Sequence, residues 1–108
     1  MKTVFISDCS NDEIEQKTAA IELSNKGFKS IQSCRISNEL HGEISDGEIA
    51  KLRISVLAQC DTLYLLQWWQ ASKQCELELA YARQTGKQVI YQAYSLRRRK
   101  NGTSNDSD

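Results

Sequence analysis

The residues best equipped for chemistry fall in one stretch, WQASKQCELE, from Trp69 to Glu78. Ser72 has the side chain of a helix N-cap. Glu78 lies beyond the first turn that such a cap would open, on the same side as Cys75 and Ala82. A carboxylate held there is able to attack an electrophilic sugar carbon, dividing a hard displacement into two steps through a covalent glycosyl intermediate. The same spacing also suits a solvated residue on a helix surface, so position alone leaves both readings open. A loop tryptophan beside such a carboxylate can stack on a nucleobase, worth about 1–3 kcal/mol where measured for single strands. It can equally seal a subunit contact, where Trp is enriched. Trp69 is assigned to a pocket wall, and Trp68 to pocket or interface. Lys73, directly after the cap, offers a charge-assisted contact to an anion.

Other reactive side chains are scattered. Cys9, Cys34 and Cys75 are expected at one rim of the sheet with His41 in a nearby loop, but no close cysteine pair of the kind found in structural zinc sites occurs. No metal and no cofactor are expected, and the four cysteines read as reduced thiols. His41 reads as a solvent-facing loop residue, with general acid work as the alternative.

The elements that must position Glu78 surround it in sequence. Cys60 to Leu66 is apolar throughout and Gln88 to Tyr91 is short with a β-branched centre, as in parallel strands covered on both faces. Between them Ser72 to Thr85 forms a helix that Gly86 ends in a left-handed cap. Upstream, Lys2 to Ser7 reads as a strand. Ser10 and Glu13 make a capping box for a helix whose stripe Ile14, Thr18, Ile21 and Asn25, with Ala20 and Leu23 beside it, faces the sheet, and Gly27 stops it. Phe28 to Cys34 follows as a half-wet edge strand. Arg35 to Ile44 shows no period and reads as a loop. A second capping box, Ser45 with Glu48, opens a helix buried through Ile49, Leu52 and Val56, with Leu57 beside them.

Strands alternating with helices predict an α/β fold: a small flavodoxin-like three-layer α/β/α sandwich with a parallel sheet of about four strands in order 2-1-3-4. Ligands of such sheets sit beyond the carboxyl ends of the strands where the order reverses. Ser7 to Ser10, Cys34 to Gly42 and Gln67 to Glu78 are therefore expected to line one crevice, with Asp8 and Ser10 among its substrate-binding residues.

The 108 residues suit one domain, placed at 1–94, followed by a disordered basic and polar tail at 95–108 that contains Arg97 to Lys100. Fourteen basic and fourteen acidic side chains balance. That balance supplies no overall field to draw nucleic acid or an anionic membrane. No apolar run approaches the roughly 20 residues of a membrane span, and MKTVFISDC is too short and too polar for a signal peptide. A cytoplasmic protein is expected.

The segment from Asp61 to Val89 resembles the nucleoside 2-deoxyribosyltransferase-like superfamily, and most closely its small DUF4406 members. There a strand leads through a Trp-containing loop to a serine, a glycine and a glutamate at fixed spacing. Here these are Cys60-Asp61-Thr62-Leu63-Tyr64-Leu65-Leu66, Trp69, Ser72-Lys73-Gln74-Cys75-Glu76-Leu77-Glu78 and Gly86-Lys87-Gln88-Val89.

The resemblance implies that Glu78 is the carboxylate nucleophile of a nucleotide N-glycosidase or deoxyribosyltransferase-like enzyme. It also implies that Ser72 holds a 5′-phosphate where the transferases carry aspartate. A neutral hydroxyl beside helix N-terminal amides accepts a phosphate that a carboxylate would repel. The implied partner is a small nucleotide, with a non-catalytic nucleotide-binding module or an oligomeric scaffold as alternatives, and a homo-oligomer is expected. The chain departs from the pattern at Gln74 and Trp68, both usually glycine, at Gln70, usually acidic, and at Asp8-Cys9, usually Gly-Pro.

Overall fold

The computed structural model describes residues 2–10 and 12–92. The tail expected at 95–108 lies outside them. Four strands, β1 (Thr3–Ser7), β2 (Lys29–Gln32), β3 (Thr62–Leu65) and β4 (Gln88–Tyr91), form one parallel sheet in the order β2-β1-β3-β4. This is the expected order. The helices are α1 (Glu13–Asn25), α2 (Ser33–Leu40), α3 (Asp46–Ala58) and α4 (Lys73–Gln84), with a 3₁₀ turn at Trp69–Ala71 before α4.

Alternation along β1 sends Val4 and Ile6 to one face and Phe5 and Ser7 to the other. Val4 and Ile6 pack with Ala19 and Leu23 of α1. Phe5, Leu63 and Leu65 pack with Leu57 of α3 and with Cys75, Leu79 and Ala82 of α4, while Ile36 of α2 adds to the same core. The central strands β1 and β3 are therefore largely buried and apolar at their centres, whereas the edge strand β2 is half-exposed, as its polar sequence requires.

Helix ends follow the expected chemistry in α3 and α4. Ser45 and Glu48 complete a reciprocal capping box, and Ser72 Oγ accepts the Cys75 amide at 3.2 Å. Gly27 and Gly86 take left-handed conformations, φ 89° and 73°, at the ends of α1 and α4.

Four expectations are corrected. Asp12, not Ser10, caps α1: its Oδ1 accepts the Ile14 and Glu15 amides at 2.9 and 3.1 Å, while Glu13 Oε2 accepts from Asn38. The buried stripe of α1 is Gln16, Ala19 and Leu23, leaving Ile14 and Ile21 exposed. In α3 the stripe is Ile49, Arg53 and Leu57, with Leu52 exposed. The loop expected at Arg35 to Ile44 contains α2, which also shortens β2, because Ser33 and Cys34 already belong to that helix. The helix escaped notice because its N-cap, Gln32, makes no side-chain capping bond and its eight residues span barely two turns.

Candidate functional site

Ser7 ends β1, α2 follows the end of β2, and α4 follows the end of β3, so all three approach the carboxyl edge of the sheet. Since Ser7 points to the α3 and α4 face, it meets Arg53 of α3 and both Cys75 and Glu78 of α4. Glu78 is completely buried. Its Oε1 accepts from Ser7 Oγ at 2.5 Å and from Arg53 Nη2 at 3.0 Å, and its Oε2 accepts from Arg53 Nε at 2.7 Å and Gln74 Nε2 at 2.8 Å. Arg53 thus grips the carboxylate with two parallel bonds, the fork geometry that makes arginine the preferred partner of a buried carboxylate. Its Nη2 also donates to Ser7 Oγ at 3.0 Å and its Nη1 to Ser37 Oγ on α2 at 3.0 Å. One guanidinium therefore ties together β1, α2, α3 and α4.

Cys75 completes the cluster. Its sulfur lies 3.1 Å from Ser7 Oγ. The single hydroxyl proton of Ser7 is committed to Glu78, so the thiol proton is the one left to join sulfur and oxygen. Burial pushes the Cys75 thiol above its ordinary value and the negative charge of Glu78 adds to this, outweighing the neighbouring hydroxyls of Ser7 and Ser72 and the charge of Arg53. Cys75 is a neutral thiol at physiological pH.

Beside this cluster a cleft of about 330 Å³ opens between α2, α3 and the first turn of α4. Ser37, Asn38 and His41 form its α2 wall, Asp46, Ile49 and Ala50 its α3 wall, and Arg53 and Gln74 separate it from Glu78. The cleft can offer hydrogen bonds from hydroxyl, amide and imidazole groups. The positive charge of Arg53 is already matched by Glu78.

Of the residues singled out from sequence, Ser72, Gln74, Cys75 and Glu78 come together. Lys73 is exposed in the first turn of α4. Trp69 turns to Tyr91, with ring centroids 5.8 Å apart and planes tilted by 42°, and packs on the main core. Asp8 is buried in a second polar cluster on the α1 side, accepting from Gln16 Nε2 at 2.8 Å, while Ser10 is exposed. His41 is exposed at the end of α2 and lines the cleft. Among the described residues, no group of three or more His, Cys, Asp or Glu could hold a metal ion. Nor is any helix long and apolar enough to cross a membrane.

Arg53 escaped the reading of the sequence, whereas Ser7 and Ser37 fall in the stretches expected to line the crevice, with no individual role given to them. A stripe at i, i+4 and i+8 in α3 places a charged residue between Ile49 and Leu57, and such a residue must find a buried partner. That was the available signal for Arg53. The departure at Gln74 has a direct consequence, because its amide gives Glu78 Oε2 a second donor, beside Arg53 Nε, that a glycine would not supply.

The model of the family described as a domain of unknown function, DUF4406, matches residues 6–91. The chain belongs to the DUF4406 family. No curated protein and no solved structure matches it. The matched part of this DUF4406 domain takes in the Arg53–Glu78 pair, the residues that line the cleft and the Asp8 cluster.

Proposed function

We propose that this protein is a nucleoside 2-deoxyribosyltransferase-like module of the cytoplasm that binds a nucleotide at the cleft and does not cleave it. The observation that carries this reading is the state of Glu78. A nucleophile must present a lone pair in line with the sugar carbon, yet the two oxygens of Glu78 accept four hydrogen bonds from within the fold and no part of the residue is exposed. In this role Glu78 is the counter-ion that holds Arg53 as the floor of the cleft. Ser37, Asn38, His41 and Gln74 bind the sugar and base. Ser72 and Lys73, at the amino end of α4, receive the phosphate.

A second reading, N-glycosidic cleavage or transfer with Glu78 as nucleophile, is favoured by one feature. Gln74 both lines the cleft and donates to Glu78 Oε2, so rotation of that one side chain exposes the oxygen. We also propose a homo-oligomer. An apolar groove of about 460 Å³ between α3 and α4, lined by Ile54, Leu77 and Tyr81, shares Ala50 and Gln74 with the cleft, so a second copy seated there would extend the cleft wall.

The test is calorimetry and chromatography with a panel of nucleoside and deoxynucleoside monophosphates. The expected result is saturable binding, weakened in Ser72→Ala, with no free base from the wild type. Base released by the wild type and not by Glu78→Gln overturns the non-catalytic reading in favour of the second. Absence of any binding removes both.

A further inference from the structure

A third cavity, of about 270 Å³, lies where α1, the end of β2 and the start of α2 meet, and is lined by Lys17, Arg35, Gln32 and Glu13. Among the described residues neither Lys17 nor Arg35 forms an ion pair, although both face the same small polar space. The carboxylate in the wall, Glu13, is already engaged: its Oε2 accepts from Asn38 Nδ2 at 3.0 Å. We infer that this cavity binds the phosphoryl group of a small soluble molecule, at a place separate from the cleft. A lysine supplies a compact charge and an arginine a planar fork of donors, the combination that suits a tetrahedral dianion better than a single carboxylate. The carboxamide of Gln32 provides a neutral donor between them. The chain carries no net charge and the cavity is a pocket, not a track, which selects a compact anion over a nucleic acid backbone.

The test is calorimetric titration of the full chain at low ionic strength with inorganic phosphate and, in parallel, glycerol 3-phosphate; the tighter of the two identifies a free or an esterified phosphoryl group as the ligand. Saturable binding is expected, weakened at least about tenfold in the Lys17→Ala/Arg35→Ala double variant and at 0.2 M salt, and tightened about threefold in Glu13→Gln, where a repelling charge is removed. All three side chains are exposed, so these variants keep the fold. Lack of saturable binding to the wild type overturns the inference, as does an affinity unchanged in the double variant. An affinity lost in Ser72→Ala but kept in the double variant also overturns it and moves the anion to the amino end of α4.

Discussion

Ser7 and Asp8 are adjacent in the chain and sit on opposite sides of the sheet, and each anchors a buried polar cluster of a different kind. On the α3 and α4 side Ser7 joins two full charges, Arg53 and Glu78. On the α1 side Asp8 meets neutral donors. Gln16 gives one amide hydrogen bond to Asp8 and one to Ser33 Oγ at 3.1 Å, while its Oε1 accepts from the Cys34 amide at 3.0 Å. The first cluster links four elements through a cation and adjoins the cleft through Arg53 and Gln74. The second joins α1 to the end of β1 and the start of α2, and none of Asp8, Gln16 or Ser33 lines that cleft. Burying opposite charges carries a desolvation cost of several kcal/mol per ion that only excellent geometry offsets. The buried Asp8 carboxylate carries such a cost as well, met in part by the Gln16 amide and the Asp12 N–H. The paired charges stand beside the cleft and the amide hub serves as a joint, which is the distribution expected if the ion pair shapes a ligand site.

The comparison is sharpest when each hub is removed in turn. Arg53→Met leaves Glu78 buried without its cation and is expected to lower unfolding free energy by about 3–5 kcal/mol in urea titration. The Arg53→Met/Glu78→Leu pair removes both charges and should recover most of the loss. A single-variant cost below about 1 kcal/mol would show that the carboxylate finds water, and the contrast between the clusters would disappear. Gln16→Leu keeps the volume but removes the amide donor to Asp8 and the acceptor of the Cys34 amide, with an expected cost of about 1–3 kcal/mol. The Gln16 amide serves three partners at once, so no single apolar partner change should restore it.

Proton linkage is a property the two clusters share. Both contain a buried thiol, Cys75 beside Glu78 and Cys34 beside Asp8, and both thiols are raised from the ordinary value of 9.0 by burial first, with the neighbouring carboxylate adding to it. The folded state therefore holds these protons more tightly than the unfolded chain. Stability is unaffected by them below the unfolded value and falls as pH rises above about 9 through the folded values. Cys75→Ala and Cys34→Ala should each flatten the loss of stability measured between neutral and strongly alkaline pH. At neutral pH iodoacetamide should modify exposed Cys9 and spare both buried thiols.

The sheet order, the edge position of β2, the caps at Ser45 and Ser72, and the turns at Gly27 and Gly86 were legible because each rests on local chemistry: apolar runs, capping side chains and left-handed glycines. What was illegible required knowledge of neighbours. Gln16 and Arg53 are polar residues on the buried stripes of α1 and α3, so a search for apolar periodicity passed over them and selected exposed Ile14, Ile21 and Leu52. The capping box read from Ser10 and Glu13 fails because Asp12 caps α1 instead and Glu13 is drawn away by Asn38, on a helix not foreseen. Glu78 could be singled out from its spacing. That it is gripped from β1, α3 and α4 follows from the fold alone.

The smallest expected effect concerns the loop that leads into α4. Trp68 holds φ 69°, a left-handed conformation that costs a side-chain-bearing residue about 1–2 kcal/mol relative to glycine. The backbone thus takes a turn there that the side chain does not favour. The ring is 61% exposed, so burial within this chain offsets little of the strain. Trp68→Gly relieves the strain but enlarges the entropy of the unfolded chain, leaving a net gain of at most about 1 kcal/mol, read as a rise of a few degrees in melting temperature. That gain should be independent of protein concentration. A loss that grows as the protein is diluted would mean that the indole is held in a contact between subunits, where the strain is compensated by apolar burial. The loop beside the cleft would then belong to an interface, and the α3 and α4 side of the molecule would differ from the α1 side in assembly as well as in charge.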